Sequence, residues 1–145
     1  FDIEDRVNGP NYAAPVIQTA ITRLLKDLRL SGSKLILAGF SQGGMMSLHC
    51  GLRLDPAPAA IVSFSGALLR HDDLSASATT PYPPVQLVHG SDDQVVPCAL
   101  MHEAARILSQ LGVEVETVER PGLAHGIDPD GLTASINFLA AYITD

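Results

Sequence analysis

A serine flanked by glycines follows a short apolar run and constrains the fold more than any other feature. The run Leu35-Ile36-Leu37-Ala38 has no polar alternation, which is typical of a strand covered on both faces of a parallel sheet. The segment Gly39-Phe40-Ser41-Gln42-Gly43 follows and matches G-x-S-x-G. Between a strand and a helix, this pattern makes a tight turn that strains the serine backbone and points its oxygen outward at the start of the helix. We therefore predict Ser41 to be a nucleophile.

Two simpler interpretations of this turn compete with a nucleophilic serine. The serine can be incidental in a glycine-rich turn, or the turn can bind phosphate. A phosphate-binding loop favours a nearby lysine or arginine, and the segment from Gly39 to Gly43 contains neither. The nucleophile interpretation therefore takes precedence.

The rest of the chain predicts alternating strands and helices. Phe1-Asp2-Ile3 suggests the tail of a strand, and Asn8-Gly9-Pro10 suggests a break before the first helix. Strands are predicted at 33–39, 60–64, 85–89 and 113–118, and helices at 11–30, from about 42, from Pro97 and from Asp128-Pro129. The order predicts a single α/β domain over residues 1–145, with a mostly parallel sheet and helices on both faces.

A serine hydroxyl needs a base and an orienting acid, and in α/β-hydrolases these follow the serine in the order acid, then histidine. His125 lies in a glycine-flanked loop between the last strand and the last helix, so it is the predicted base. Of the other histidines, His49 is predicted to pack in the interior and His89 to brace the turn after its strand. His102 is predicted to face solvent, and His71 lies in a polar loop segment. Spacing alone leaves Asp92 and Asp93 both open as the acid.

Three motifs in this order resemble the phospholipase/carboxylesterase family of α/β-hydrolases, which includes acyl-protein thioesterases and bacterial carboxylesterases. They are the elbow continued to Gly44, the segment from His89 to Pro97, and the His125-Gly126 pair. In the family pattern H-G-x-x-D the acid is the last position, which implies Asp93. The resemblance further implies a triad of Ser41, Asp93 and His125 that hydrolyses carboxylic esters or thioesters without a metal or cofactor.

The backbone N–H of Gln42 follows the nucleophile at a helix start, so it is the expected oxyanion-hole donor. Family members carry further strands before the position of Phe1, together with a loop that supplies a second donor. We therefore expect the N-terminal strands to be missing from this chain. The apolar strand at 33–39 belongs in mid-sheet, and a bare apolar edge would aggregate. The chain is thus expected to be part of a longer polypeptide or to pair with another chain, for example as a homodimer.

Net charge and hydropathy indicate which classes of binding partner are unsuited to this chain. The formal net charge is −7 and the basic residues are scattered, which argues against nucleic acid. The apolar runs are too short for a transmembrane segment. Two cysteines, Cys50 and Cys98, are too few for a disulfide scaffold and favour a cytoplasmic protein.

Three other functions compete with ester or thioester hydrolysis. A truncated, catalytically impaired hydrolase would act as a binding or remnant domain. A dienelactone-type hydrolase usually has cysteine where Ser41 stands, and a peptidase lacks support because no propeller or lid domain is visible. Leu68, Leu69 and the loop 75–84 are candidates for an acyl pocket, which would favour a short or medium acyl chain.

Overall fold

The computed structural model describes residues 3–75 and 81–143, with side chains from residue 12 onward. Its elements are α1 (Ile3–Leu28), a 3₁₀ turn (Gly32–Lys34), β1 (Ile36–Phe40), α2 (Gln42–Gly51), β2 (Ala60–Phe64), β3 (Val85–Gly90), α3 (Ala99–Gln110), β4 (Val115–Arg120) and α4 (Pro129–Ala140).

The four strands form one parallel sheet in the order β1-β2-β3-β4. β2 and β3 are buried along their whole length, in keeping with their apolar sequences. β4 lies at an edge with alternating exposure, as its alternation of valine with glutamate and threonine predicts. Because all strands are parallel, their carboxyl ends meet at one edge of the sheet, where ligand sites of open α/β sheets lie.

Helices cover both faces of the sheet, as predicted. On one face α2 and α3 pack against β2 and β3 in a cluster that includes Leu48, Ile61 and Leu108. On the opposite face Phe138 of α4 packs against Val62 and Val88. The strand residues alternate between these two clusters, because successive side chains of a strand point to opposite faces.

The first helix differs from the prediction. It begins at Ile3 and runs through Asn8-Gly9-Pro10, so neither the break nor the strand tail at Ile3 is present; Phe1 and Asp2 lie outside the described residues. Proline can stand in a helix at the cost of one backbone hydrogen bond. The loss does not stop helix formation here.

In the first and last helices, apolar residues recur at spacings of three and four, which predicts a buried face on each helix, but much of that surface is exposed. Leu24 and Leu28 of α1 are more than half exposed, and α4 exposes Ile136 to a similar degree. α4 instead buries Gly131, Ser135 and Phe138. Both helices therefore present apolar surface that no described residue covers.

The first strand lies at an edge of the described sheet, which is where it is expected if the N-terminal strands are missing from this chain. β1 pairs with β2 alone, and its residues are half-buried or exposed. Its composition suits a strand with two neighbours, but this sheet supplies one. Within the described ranges, no helix is long and apolar enough to cross a membrane.

Candidate active site

The turn between β1 and α2 has the strained geometry that the G-x-S-x-G pattern requires. Ser41 has φ 55° and ψ −119°, a conformation that costs a non-glycine residue free energy and persists only when its surroundings hold it. Its N–H donates to the Phe64 carbonyl at 2.8 Å, and its own carbonyl accepts from the Met45 N–H at 3.0 Å. The backbone on both sides of the turn therefore fixes the serine.

Close approach of backbones explains the glycines around the serine. A Cβ on Gly39 would lie 2.2 Å from the Gly43 carbonyl carbon, and a Cβ on Gly44 would lie 2.6 Å from Ser63 Oγ. At Gly43 itself a Cβ would meet nothing within 4 Å. The pair that lets the helix pack against the strands is thus Gly39 and Gly44, one residue later than the symmetric pattern suggests.

Gln42 is the first residue of α2. The first four N–H groups of a helix have no acceptor within the helix, and the helix dipole makes this end positive. The Gln42 N–H is therefore available to an anion or a developing negative charge beside Ser41.

The predicted base lies within hydrogen-bond distance of the predicted nucleophile. His125 Nε2 is 3.0 Å from Ser41 Oγ, although the two residues are 84 positions apart in sequence. His125 belongs to the base loop, defined here as residues 121–128, which joins β4 to α4. The imidazole is mostly buried, and the Phe40 ring packs against it with centroids 4.8 Å apart. The ring is thus held from the side as well as at both nitrogens.

The acid loop, defined here as residues 91–97, follows β3 and brings Asp93 to the other side of His125. Asp93 Oδ2 lies 2.7 Å from His125 Nδ1, and the Asp93 side chain is fully buried. Oδ1 accepts hydrogen bonds from the N–H groups of Val95 and Val96, both at 2.9 Å. Burial alone would raise the pKa of Asp93, but the hydrogen bonds from His125, Val96 and Val95 outweigh it and hold the pKa below its ordinary value.

The two aspartates left open by spacing have different surroundings. Asp92 is exposed, and its Oδ1 accepts a hydrogen bond from the Ser91 hydroxyl at 2.7 Å. Asp93 alone of the pair faces His125. Asp128 is the N-cap of α4, as predicted, and its carboxylate accepts from the Gly131 N–H.

The acid and base loops are joined directly, through residues that sequence reasoning did not single out. Ser91 Oγ accepts from the Gly122 N–H at 2.8 Å, and the Asp92 N–H donates to the Leu123 carbonyl at 3.0 Å. A Cβ on Gly90 would lie 2.1 Å from the Leu123 carbonyl oxygen. Gly90 therefore lets the base loop cross close over the end of β3.

Arg120, the last residue of β4, forms an ion pair with Asp128 and so joins the two ends of the base loop. Its guanidinium binds Asp128 at 2.9 Å and Asp130 at 2.7 Å. The Asp128 partnership raises the pKa of Arg120, and the pKa of Asp128 lies below its ordinary value because the Gly131 N–H and Arg120 outweigh its desolvation. Arg120 lies eight residues before Asp128, the N-cap of α4, and this spacing was the available sequence signal for the contact.

His89 braces the acid loop, as its position at a strand end predicted. Its Nε2 lies 2.7 Å from the Val96 carbonyl and 3.3 Å from Asp93 Oδ2. His49 is buried, as expected for a packed side chain, and burial lowers its pKa. His102 is exposed, as predicted, but it also lies 3.0 Å from Glu119 Oε2.

A small apolar cavity of about 110 Å³ adjoins these elements. Leu68 and Leu69, the predicted lining residues, both contribute to its wall. The remaining lining residues are Met45, Ala67, Val95, Val96 and Leu100. Met45 is one helical turn after Ser41, and Val95 and Val96 bind Asp93, so the cavity lies against the residues that hold the site. Part of the other predicted lining segment, residues 76–80, lies outside the described residues.

The arrangement is a continuous chain of hydroxyl, imidazole and carboxylate. A buried carboxylate fixes the imidazole with its proton on Nδ1, which leaves Nε2 able to accept the Ser41 proton. The start of α2 supplies an N–H at the place where an oxyanion would form. Such a site can carry out nucleophilic attack on a carbonyl carbon.

Comparisons with known proteins give the family of the chain. A family model described as Phospholipase/Carboxylesterase matches residues 2–143. An acyl-protein thioesterase 1 of Gibberella zeae is 34% identical over 117 residues, which are 78% of this chain and 50% of that protein. The Neurospora crassa acyl-protein thioesterase 1 is 30% identical over 119 residues, covering 78% of this chain and 48% of that protein.

Solved structures show the same fold. The crystal structure of esterase PE8 superposes with a TM-score of 0.88 at 37% identity, covering 95% of this chain and 64% of that one. A Zea mays acyl-protein thioesterase 2 structure gives a TM-score of 0.71 at 20% identity, covering 89% and 65%. The chain spans about half the length of the curated relatives it matches.

Proposed function

Because this chain belongs to the phospholipase/carboxylesterase family of α/β-hydrolases, we propose that it hydrolyses carboxylic esters or thioesters through an acyl-enzyme on Ser41. The single observation that carries the proposal is the chain of contacts from Ser41 Oγ to His125 Nε2, at 3.0 Å, and from His125 Nδ1 to Asp93 Oδ2, at 2.7 Å. These are the distances at which a proton passes from a nucleophile to a base whose orientation is fixed.

The reaction proceeds in two half-reactions. Ser41 Oγ attacks the acyl carbonyl carbon while its proton moves to His125 Nε2. The tetrahedral intermediate collapses, the bond to the alcohol or thiol breaks, and His125 returns the proton to the leaving group. Water then attacks the acyl-enzyme by the same route, which releases the carboxylic acid and restores Ser41.

Asp93 and Gln42 act on the charges that develop in these steps. Asp93 keeps the imidazole proton on Nδ1 and stabilises the imidazolium. The N–H of Gln42 donates to the oxyanion, and one such donor contributes about 3 kcal/mol to transition-state stabilisation in serine hydrolases. No step of this mechanism uses a metal or cofactor.

The acyl group is proposed to be short or medium in length. The apolar cavity beside Met45 and Leu69 holds about 110 Å³, room for roughly three or four groups the size of a water molecule. Its wall is formed by apolar side chains, which favours an alkyl tail over a charged one. Longer acyl chains would need space outside this cavity.

Turnover of p-nitrophenyl acetate, butyrate and octanoate by the purified chain tests the activity. We expect release of p-nitrophenol with the two shorter esters, and a loss of at least about a thousandfold in kcat for Ser41→Ala. Ser47→Ala is the matched control, because Ser47 lies on α2 outside the contact chain. Equal turnover by wild type and Ser41→Ala would overturn the proposal.

A second candidate function is a non-catalytic binding or remnant domain. It is favoured by the share of the curated relatives that the chain spans, about half, and by the assignment of one oxyanion donor, Gln42, among the described residues. Binding of a short-chain fatty acid or acyl ester without turnover would support this candidate over the enzyme. Turnover that depends on Ser41 would exclude it.

We also propose that residues 1–145 form one domain, corresponding to the C-terminal two-thirds of the family domain, and that a further polypeptide segment or a second copy covers the free edge of β1. The exposed Leu24 and Leu28 of α1 and Ile136 of α4 support this proposal. Light scattering coupled to size-exclusion chromatography tests it, since a stable monomer of 15.3 kDa with full activity would contradict it. The free Cys50 and Cys98 support a cytoplasmic setting, which is likewise a proposal.

A further inference from the structure

Three side chains of types that can ligate metal ions converge where the first turn of α3 faces the end of β4. His102 Nε2 lies 4.0 Å from Cys98 Sγ and 3.0 Å from Glu119 Oε2. All three donor atoms lie within 4.8 Å of one another. Among the described residues, this is the one group of three such side chains with converging donor atoms.

The spacing of these donors suits a tetrahedral ion. Zn²⁺ binds cysteine sulfur at about 2.3 Å and histidine nitrogen or carboxylate oxygen at about 2.0–2.2 Å, so its ligand atoms lie roughly 3.3–3.6 Å apart. The separation of 3.0 Å between His102 and Glu119 is shorter than that range, and the separation of 4.0 Å between Cys98 and His102 is longer. Side-chain rotation alone can adjust both. Cys98 and His102 are four residues apart at the start of α3, which places them on the same face of the helix.

The donor set selects the chemical class of the ion. One sulfur, one nitrogen and one carboxylate oxygen suit zinc and related divalent transition metals, whereas calcium and magnesium take oxygen ligands. The Glu119 carboxylate lies 3.0 Å from His102 Nε2, and its negative charge favours a cation at this position. The side chains of His102 and Glu119 are about half exposed, so an ion can enter from solvent.

The position of the cluster connects it to the active site. Cys98 directly follows the acid loop, whose Val95 and Val96 N–H groups hold Asp93. Glu119 pairs with His89 across the sheet, and His89 contacts both Asp93 and the Val96 carbonyl. An ion bound between α3 and β4 would therefore anchor the acid loop at its C-terminal end.

We propose that Cys98, His102 and Glu119 form a binding site for a divalent transition metal, preferably zinc, that clamps the end of the acid loop to β4. On binding, the Cys98 thiol loses its proton to water as the metal–sulfur bond forms, and the His102 imidazole carries its proton on Nδ1. No oxidant or reductant takes part. The three protein ligands leave a fourth position for water, and the ion lies outside the Ser41 reaction centre.

Titration of the chelator-treated protein with Zn²⁺ and Co²⁺ tests the site independently of hydrolysis. We expect saturation at one equivalent, a rise in Tm with Zn²⁺, and a cobalt–thiolate charge-transfer band in the near ultraviolet. Zn²⁺ should also slow the reaction of Cys98 with an aromatic disulfide reagent. The buried Cys50 serves as an internal reference thiol.

Variants identify the ligands. Cys98→Ser should abolish the charge-transfer band, and His102→Ala and Glu119→Gln should each weaken Zn²⁺ binding by at least about ten-fold. Glu103→Gln is the matched control, because it removes an exposed carboxylate of α3 that is not in the cluster. Circular dichroism of each variant separates a ligand effect from misfolding.

Two results would overturn the proposal. One is the absence of saturable Zn²⁺ or Co²⁺ binding to the wild-type protein. The other is binding that folded Cys98→Ser, His102→Ala and Glu119→Gln retain at wild-type affinity. The contact between His102 and Glu119 would then be a surface ion pair and nothing more.

Discussion

His89 and His125 approach the same oxygen of Asp93. Oδ2 lies 2.7 Å from His125 Nδ1 and 3.3 Å from His89 Nε2. His89 also reaches the Val96 carbonyl at 2.7 Å. A buried histidine thus holds the proposed catalytic acid and the backbone that binds it.

Replacing His89 by glutamine should lower kcat by roughly one to two orders of magnitude, because a small displacement of Asp93 misaligns His125. KM should change little, since His89 is not among the residues that line the apolar cavity. Steady-state kinetics with p-nitrophenyl butyrate measures both constants. His71→Gln is the matched control, and an unchanged kcat in His89→Gln would contradict the positioning role.

The contact between Arg120 and Asp128 should affect activity more than the contact between Arg120 and Asp130. Asp128→Ala removes both the cap of α4 and the partly buried partner of Arg120, so the base loop loses an anchor. We expect a lower Tm and a roughly ten-fold lower kcat. Asp130→Ala removes only an exposed partner and should behave like wild type. Equal effects of the two variants in thermal denaturation and turnover would refute this difference.

The ionisation of Asp93 should make stability depend on pH. Its pKa is held below the ordinary value of 3.8, so the folded state favours the carboxylate. The resulting stabilisation is present in full above the unfolded-state pKa and is lost as the pH falls through the lower folded-state pKa. The difference in unfolding free energy between wild type and Asp93→Asn should therefore shrink on acidification below about pH 4. Denaturant titrations at several pH values measure it, and a difference that grows at low pH would show the opposite linkage.

Acyl-chain preference should respond to Leu69. Leu69→Ala enlarges the apolar cavity, so the ratio of kcat/KM for octanoate to that for butyrate should rise by roughly ten-fold. Leu24→Ala, which truncates an exposed leucine of α1, is the matched control and should leave the ratio unchanged. If Leu69→Ala also leaves it unchanged, the acyl chain occupies another part of the protein.

Much of the fold could be predicted from short stretches of sequence. The strands at 60–64 and 85–89, the start of α2 near Gln42 and the capping of α4 by Asp128 follow from apolar runs and helix-start signals that act over a few residues. The meeting of Ser41, Asp93 and His125 follows from parallel strands, whose carboxyl ends lie together. The choice of Asp93 over Asp92 needed family resemblance, because both follow the strand at suitable spacing and only the loop conformation separates them.

Other features depend on contacts between distant segments, which periodicity does not describe. The central position predicted for β1 and the burial predicted for the α1 and α4 stripes assume neighbours that the described residues do not provide. The link from Ser91 to Gly122 and the convergence of Cys98 with Glu119 join residues from different loops and elements. The sequence around each of these residues contains no motif that predicts such contacts.

Covalent labelling tests the central claim most directly. A fluorophosphonate reacts with an activated serine, and mass mapping of the labelled protein identifies the modified residue. We predict one adduct on Ser41 that is lost in Ser41→Ala, is retained in Ser47→Ala and forms much more slowly in His125→Ala. The absence of an adduct from the folded wild-type protein, or an adduct that persists in Ser41→Ala, would contradict the assignment of Ser41 as the nucleophile.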